Sequence, residues 1–268
     1  MKIEHLLELI ETKGDFGAAT NIVKQYLEAL ATVEDDALHK RLLKELISRY
    51  VILEKQADQL LKNTLPPIVA DEIKYEGRFK SRAYSCTILF TDFVGFTRLA
   101  ESMSNNLLIE TLDHIFSEFD LLIAEHQGTK IKTIGDAYMA VFGAPVSYEE
   151  HPMMAVRAAM ALLDFLDKFN SKAKNQFNMR IGIHTGSVMA GVVGRERMQF
   201  DIFGDDVNIA ARFESSGVIN KANVSESTYA KTKSHFHFEE RGLVNLKNKG
   251  QMKAYIVIDE KNSDMKLK

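Results

Sequence analysis

Cysteine is almost absent from this sequence, and apolar runs of membrane-spanning length are missing. Cys86 is the only cysteine, which excludes an intrachain disulfide framework and a thiolate metal site and favours a reducing, cytoplasmic setting. No apolar stretch approaches the length that crosses a bilayer, and the first residues, MKIEHLLELIETK, carry acidic side chains inside their apolar stretch, unlike a secretory signal. We therefore expect no membrane insertion.

An excess of charge of one sign is also missing. The chain has 34 basic and 37 acidic side chains and a net charge of −3, so it offers no basic surface for the phosphates of nucleic acid or for an anionic membrane. Apolar residues are plentiful, at 46% of 268 residues. That is enough for the core of one large domain, or of one medium domain with an additional segment.

Proline is absent from the first 65 residues, and this segment is predicted to be helical. Apolar residues recur there at intervals of 3, 4, 3, 4 and 3, which is a heptad pattern formed by Leu43, Leu46, Tyr50, Leu53, Ala57 and Leu60. A weaker pattern, formed by Ala19, Val23, Tyr26 and Leu30, predicts a second helix. The heptads favour a parallel coiled-coil dimer, and a helical hairpin within one chain remains the alternative.

Beyond residue 65 the pattern changes to alternating strands and helices. Pro66 and Pro67 end the helical segment, and a charged linker or transmission element follows. The chain then predicts a strand near 84–92, helices across 96–126, a hairpin in KIKTIGDAYMAVFG and a long helix in EEHPMMAVRAAMALLDFLDKFN. The predicted order continues with strands in MRIGIHTG and SVMAGVVG and with a loop and short helix in DIFGDDVNIAARFESSG. It ends with strands in HFHFEERGLVNL and AYIVID. This β-α-β-β-α-β order predicts an α+β fold whose mixed or antiparallel sheet is covered by helices on one face.

Two aspartates at predicted strand ends are the first candidates for chemistry. Asp92 follows the apolar strand CTILF, and Asp136 lies in the hairpin turn. In a β-α-β-β sheet the first strand neighbours this hairpin, so the two side chains could converge. Carboxylates suit Mg²⁺, which completes its shell with water and substrate phosphates, and a pair of such metals can activate an attacking oxygen. Taken singly, the alternatives are that Asp92 caps a helix or pairs with a cation and that Asp136 is a turn residue.

Five motifs, in order, carry a resemblance to a known family: FTDFVGFT, KIKTIGDAYMAVFG, MRIGIHTGSVMAGVVG, FDIFGDDVNIAARFES and LKNKGQMKAYIV. Over about residues 84–258 the sequence closely resembles the class III nucleotidyl cyclases. The resemblance implies a ferredoxin-like, palm-type βαββαβ core, a head-to-tail catalytic dimer, and conversion of a nucleoside triphosphate to a 3′,5′-cyclic monophosphate and pyrophosphate.

The stretch TLPPIVADEI resembles the transducer element that precedes many bacterial members of this family. We therefore divide the chain into a helical, coiled-coil segment (1–65), a transducer or linker (66–83), a cyclase catalytic domain (84–260) and a short tail (261–268).

The resemblance also assigns roles to individual residues. Asp92 and Asp136 match the aspartates that hold two divalent cations, Mg²⁺ or Mn²⁺, with the backbone carbonyl of Phe93 as a further ligand. Lys130 and Asp201 match the pair that recognises adenine, since an ammonium group donates to the ring N1 and a carboxylate accepts from the exocyclic amine. Guanine presents the reverse pattern, so ATP is the expected substrate.

Further matches concern the sugar and the phosphates. Asn208 and Arg212 match the ribose-orienting asparagine and the transition-state arginine, and their i, i+4 spacing places both on one face of a short helix. Lys247 matches a lysine that holds the terminal phosphates, and Gly95 lets the chain approach the triphosphate. Taken alone, each has an ordinary structural explanation. His184, in an apolar strand, is interpreted as a core histidine rather than as a base.

One residue departs from the family pattern. Asp206 lies where many members have a small or hydroxyl residue, and it adds negative charge near the ribose end of the site. The prediction is an adenylate cyclase homodimer, with an upstream sensor or receptor domain as a further candidate partner. A guanylate or dual-specificity cyclase and a catalytically silent cyclase-like module are the alternatives. A diguanylate cyclase is disfavoured because its signature loop is missing at the hairpin.

Overall fold

The computed structural model of the protein describes residue 28 and residues 36–194 and 197–261. The chain divides between Thr64 and Leu65. Before this division lies helix α1 (Asp36–Thr64). Most of its heptad positions carry exposed apolar side chains, with Tyr50 64% and Leu60 68% exposed, whereas Leu46 is partly buried. The residues of the second predicted helix, Ala19, Val23, Tyr26 and Leu30, lie outside the described residues, so the choice between coiled coil and hairpin stays a prediction.

The second unit contains a mixed sheet and its helices. The elements are α2 (Pro67–Glu76), β1 (Arg82–Phe93), α3 (Phe96–Glu101), α4 (Asn105–Glu125), β2 (Gly128–Ile134), β3 (Ala137–Phe142), α5 (His151–Asn170), β4 (Met179–Val193), β5 (Gln199–Phe203), α6 (Asp205–Ser215), β6 (Ala222–Ser225), α7 (Glu226–Thr232), β7 (Phe236–Leu246) and β8 (Gly250–Glu260). The strand order is β2-β3-β1-β4-β6-β8-β7, and β5 pairs with β4. Only the β4–β6 pair is parallel among the described strands. The α+β class and the βαββαβ order are confirmed.

The stretch expected to be a linker contains an ordered helix. Helix α2 begins at Pro67, a residue suited to the first helical position, and is followed by Gly77, whose φ of 77° is left-handed. Val69 and Ala70 are fully buried. The Glu72 carboxylate then accepts a hydrogen bond from the backbone N–H of Lys80 at 2.8 Å. This segment therefore leads into β1 as packed structure.

Helices α4 and α5 cover one face of the sheet. Ile115, Phe119 and Ile123 recur every four residues along α4 and are buried against sheet residues such as Leu89 and Tyr138. Helix α6 lies on the opposite face, where Ile209 and Phe213 form a second, smaller apolar cluster with Leu246 and Ala254. The prediction that helices cover one face only was therefore wrong.

The two strands predicted in MRIGIHTG and SVMAGVVG are one continuous strand, β4. It pairs with the whole of β1, from Arg82 opposite Ala190 to Phe93 opposite Met179. Its far end also pairs with β5, a strand formed by residues expected to be a loop. Strand β5 has only five residues, but Phe200 and Ile202 alternate with exposed or partly exposed neighbours and are buried, so a short strand signal was present in the sequence.

Candidate active site

Asp92 and Asp136 meet at one edge of the sheet. Asp92 is the penultimate residue of β1, and Asp136 lies in the turn between β2 and β3. Strands β1 and β3 pair with Thr91 opposite Tyr138, which brings the turn to the end of β1. Burial raises the pKa of the Asp136 carboxyl and the charge of Asp92 raises it further, whereas the backbone amides of Asp136 and Phe93 lower it. The convergence expected from the sequence is therefore observed.

Arg180 is a neighbour of this pair that the sequence reasoning did not single out. It lies directly opposite Asp92 in the β1–β4 register. Its Nη2 donates to Asp92 Oδ2 at 3.1 Å and its Nε donates to Glu214 Oε1 at 3.0 Å. Burial raises the pKa of Glu214 to about 7, against the opposing effect of Arg180. A charged residue at the start of an otherwise apolar strand was the available signal for Arg180.

The donor set at this edge suits a hard divalent cation. It consists of two carboxylates that repel each other, to which the resemblance adds the backbone carbonyl of Phe93, and oxygen donors of this kind are what Mg²⁺ and Mn²⁺ prefer. No group of three or more His, Cys, Asp or Glu side chains that could hold a metal ion occurs among the described residues, so water and substrate phosphates would complete the shell. The Phe93 ring packs against Phe96, Phe116 and Phe177, which fixes the backbone at this position.

Gly95 follows two residues later, with φ at 72° and ψ at 22°, immediately before α3. No atom lies within 4 Å of where its Cβ would be, so the left-handed backbone, rather than crowding, is what favours glycine here. The chain therefore turns sharply beside the two aspartates.

The structure does not bring Lys130 and Asp201 together. Lys130 donates to Asp120 on α4 at 2.8 Å. It is Lys132, two residues later, that donates to Asp201 on β5, at 2.5 Å. Lys132 therefore replaces Lys130 as the basic partner of Asp201.

A backbone irregularity in β2 explains this exchange. Lys130 lies opposite Ala140 and Lys132 lies opposite Met139, so two steps along β2 match one step along β3. In a regular strand two residues at this spacing share a face, but an extra residue between them turns them to opposite faces. The extra residue is Ile131, whose side chain is buried. No simple alternation in the sequence reveals this shift.

Asn208 and Arg212 share one face of α6, as their spacing predicts. Ile209 and Phe213, on the other side of the helix, are buried, whereas Asn208 is exposed and Arg212 is partly exposed. Arg212 makes no salt bridge to any described residue, so the structure gives no support to the alternative of a salt-bridging helix residue. Lys247 is exposed in the turn between β7 and β8.

Asp206 and His184 pair with each other on the inner side of α6. Asp206 Oδ1 accepts a hydrogen bond from His184 Nε2 at 2.9 Å. His184 is 5% exposed and its other ring nitrogen lies 2.8 Å from the Ser225 hydroxyl. The interpretation of His184 as a core histidine with satisfied polar atoms is confirmed.

A family model described as "Adenylate and Guanylate cyclase catalytic domain" matches residues 79–259. The chain therefore belongs to the class III adenylate and guanylate cyclase family. Members of this family bind a nucleotide substrate, use divalent metal ions and commonly dimerise.

Curated relatives include both kinds of cyclase. An adenylate cyclase of Mycobacterium tuberculosis is 35% identical over 208 residues, which are 77% of this chain and 47% of the relative. Guanylate cyclase soluble subunit beta-2 of Rattus norvegicus is 36% identical over 228 residues, 84% of this chain and 33% of the relative. The chain thus spans less than half the length of these curated relatives.

Similar solved structures also include both guanylate and adenylate cyclases. The guanylate cyclase domain of RhGC from Catenaria anguillulae, in complex with GTP, superposes with a TM-score of 0.65 at 32% identity and covers 67% of this chain and 100% of its own. The adenylyl cyclase CyaB from P. aeruginosa superposes with a TM-score of 0.65 at 25% identity, covering 69% and 98%. Within the described part of the chain, no helix combines the length and the apolar character needed to cross a bilayer.

Proposed function

We propose that the protein is an adenylate cyclase that converts ATP to 3′,5′-cyclic AMP and pyrophosphate, with two divalent cations, Mg²⁺ or Mn²⁺, at the interface of a homodimer. The observation that carries the choice of ATP is the contact between Lys132 and Asp201. An ammonium donor beside a carboxylate acceptor is complementary to N1 and the exocyclic amine of adenine. Guanine has a donor and an acceptor in the reverse places, so it would leave both groups unsatisfied.

At the metal site, Asp92, Asp136 and the carbonyl of Phe93 would hold the cations. The bound cations would supply Lewis acidity to the phosphate oxygens. The Arg180 guanidinium, which donates to Asp92 and to Glu214, would orient the Asp92 carboxylate at this edge. The left-handed turn at Gly95 supports a close approach of the chain to the phosphates.

Arg212 and Asn208 would act on the reacting end of the nucleotide. Attack of the 3′-oxygen forms its bond to the α-phosphorus while the bond to the bridging oxygen of pyrophosphate breaks. Negative charge then develops on oxygens that the Arg212 guanidinium can stabilise, an effect typically of about 3 kcal/mol. Asn208, one turn earlier on α6, would hold the ribose. Lys247, exposed at the β7–β8 turn, would hold the terminal phosphates.

Exposed apolar side chains near Asp201 support the homodimer. Met189 and Phe203 face each other across the β4–β5 pair and are 48% and 47% exposed. Val193 and Met198 extend the same ribbon and are also exposed. Apolar groups clustered on a surface in this way are typical of a protein interface.

We further propose that the exposed apolar side chains of α1 pair with those of a second chain. We also propose that an upstream sensor or receptor domain acts through the 66–83 segment. The compartment that we propose is the cytoplasm. The free thiol of Cys86 is buried, which suits a reducing compartment.

The experiment that tests the proposed function is a product analysis. The purified protein is incubated with ATP or GTP, each with Mg²⁺ or Mn²⁺, and its dimeric state is measured in the same sample. Cyclic AMP is the expected product. Cyclic GMP in larger yield would establish the guanylate cyclase that several relatives represent, and no cyclic nucleotide from a dimeric sample would establish the silent module.

A further inference from the structure

The first turn of α6 is attached to β4 through Asp206. Its Oδ1 accepts a hydrogen bond from His184 Nε2 at 2.9 Å and its Oδ2 accepts one from the backbone N–H of Ser187 at 2.7 Å. An acidic residue in the first turn of a helix ordinarily interacts with the free backbone N–H groups of that helix. Both oxygens of Asp206 instead accept hydrogen bonds from β4. Asp205, the other acid of this turn, is 65% exposed and pairs with Lys249 instead.

His184 joins both ends of α6 to the strand. Because a carboxylate only accepts hydrogen bonds, the Nε2 that faces Asp206 carries the proton, and in the neutral ring Nδ1 accepts from the Ser225 hydroxyl. The ring also stacks on Phe213 at a centroid distance of 6.2 Å and an interplanar angle of 3°. One imidazole therefore contacts the first turn of α6 through Asp206 and the last turns through Phe213.

Two glycines allow this close approach. A Cβ on Gly186 would lie 2.3 Å from Cγ of Asp206, and a Cβ on Gly182 would lie 2.0 Å from the backbone N of Glu214. Gly182, His184 and Gly186 alternate along β4 and therefore share a face. The strand thus touches α6 near both ends, which fixes where the helix lies along β4 and how it is rotated.

We propose that Asp206 and His184 are positioning residues for the cyclase reaction, because together they fix the helix that carries Asn208 and Arg212. This inference rests on the proposed function. A displacement of about 1 Å at a reacting group costs up to about 100-fold in rate, so the placement of α6 bears directly on turnover. The Asp206 carboxylate, which the sequence places near the ribose end, is hydrogen-bonded to β4 through both oxygens.

Alanine and phenylalanine variants of the full-length chain test the pair. Asp206→Ala removes both bonds to β4, whereas Asp205→Ala is a matched control that removes an acid from the same turn without a contact to β4. His184→Phe keeps a ring against Phe213 and removes the donor. We expect Asp206→Ala and His184→Phe to lower kcat by about 10- to 100-fold while KM for ATP changes less than about threefold, and the control to stay within about twofold of wild type.

A double-mutant cycle separates positioning from general damage. If Asp206 acts through α6, Asp206→Ala should cost less in an Asn208→Ala background than in the wild type, because that helix has already lost a contact to the nucleotide. A combined loss equal to the product of the two single losses would overturn the proposal. His184→Gln, which retains an N–H donor, should recover part of the activity lost in His184→Phe.

Hydrogen–deuterium exchange measures the attachment of α6 without turnover. In Asp206→Ala the amides of residues 205–210 should exchange about tenfold faster than in the control, while those of β1 and β8 keep their wild-type rates. If the wild-type protein forms no cyclic nucleotide, the proposed function fails. The exchange measurement would still show whether Asp206 holds α6 against β4. Unchanged exchange together with unchanged kcat, or an increase spread evenly over the whole domain, would overturn the positioning role.

Discussion

Lys132 donates a hydrogen bond to Asp201 although 69 positions separate the two residues in the chain. Lys130, which has the same side chain, faces the other side of the sheet and pairs with Asp120. The difference between them is one of backbone register at Ile131. Two lysines that lie two positions apart on one strand therefore have separate environments.

Replacing Lys132 should alter the choice of base. We expect Lys132→Met to lower kcat/KM for ATP by at least about tenfold and to reduce the preference for ATP over GTP, because adenine N1 loses its donor and Asp201 loses its partner. Lys130→Met is the matched control. Its ion pair is 38% and 42% exposed and contributes little, so activity should stay within about threefold of wild type. The opposite ranking of the two variants would return the role to Lys130.

The carboxylates at the sheet edge should be indispensable. Asp92→Asn and Asp136→Asn each remove a charged metal ligand without a large change in size, and turnover should fall by at least about 100-fold in Mg²⁺ and in Mn²⁺. Chelation of divalent cations should abolish wild-type activity, and returning Mn²⁺ should restore it. Asp164→Asn, an exposed aspartate paired with Lys168, is the control. Activity of either site variant within a few fold of wild type would exclude the metal assignment.

A shared site predicts recovery of activity in mixed dimers. An Asp136→Ala chain lacks a metal ligand but retains α6, and an Arg212→Ala chain has the opposite defect. If each site draws metals from one protomer and base contacts from the other, a heterodimer of the two forms one intact site and should have roughly half of wild-type activity. Sedimentation or mass measurement must show that the heterodimer has formed. A demonstrated heterodimer without activity would argue against a site formed by two chains.

His151 should make the fold sensitive to mild acid. Burial, with a smaller effect of Lys231, lowers the pKa of His151 to about 4 from 6.5. Below about pH 6.5 the unfolded chain therefore binds a proton at His151 that the folded chain does not bind. The free energy of unfolding consequently falls as the pH is lowered from about 6.5 towards 4. Thr87 Oγ1 lies 2.9 Å from His151 Nδ1, and asparagine can place a polar atom there without titrating.

When the pH is lowered from 7 to 5, the free energy of unfolding should fall in the wild type and in His151→Asn. The fall should be smaller in His151→Asn by about 1 to 2 kcal/mol. Urea denaturation at the two pH values measures this difference. His237→Asn, at an exposed position, is the control and should follow the wild type. An equal loss in wild type and His151→Asn would assign the acid sensitivity to other groups.

Gly182 should tolerate no side chain. A Cβ there would lie 2.0 Å from the backbone N of Glu214, and backbone cannot turn away as a side chain can. We expect Gly182→Ala to lower the free energy of unfolding by at least about 2 kcal/mol. At Gly191 the nearest atom is the Ser81 hydroxyl at 2.6 Å, which can rotate, so Gly191→Ala should cost less. Equal costs for the two variants would show that α6 can shift away from β4.

Periodicity and motif order were sufficient for the main elements of the fold. The apolar run before Asp92 predicts β1, and the Gly135–Asp136 turn predicts the β2–β3 hairpin, because both are local signals. Strand β5 was missed although Phe200 and Ile202 alternate with exposed or partly exposed residues, because five residues give only a short signal and these were interpreted as part of a loop. Helix α6 itself was predicted, but its position on the second face was not, because its contacts with Gly182 and Gly186 join residues about 20 or more positions apart.

Some residues of the candidate site could be predicted from the sequence, and others could not. Asp92, Asp136, Asn208 and Arg212 lie within continuous motifs or at a fixed helical spacing, so the sequence indicates them directly. Lys132 depends on a register shift, and Arg180 depends on a cross-strand partner and on Glu214 from another helix. The partner of a side chain across a sheet is set by tertiary structure, which a single sequence does not display.

Arg180 has a consequence for how two active sites in one dimer would communicate. Its guanidinium contacts Asp92 at the cation-binding edge and Glu214 on α6. In a head-to-tail homodimer these two elements of one chain belong to different sites, so Arg180 would connect a metal ligand of the first with the arginine-bearing helix of the second. Nucleotide filling one site is then expected to change turnover at the other, which a Hill coefficient different from one would reveal.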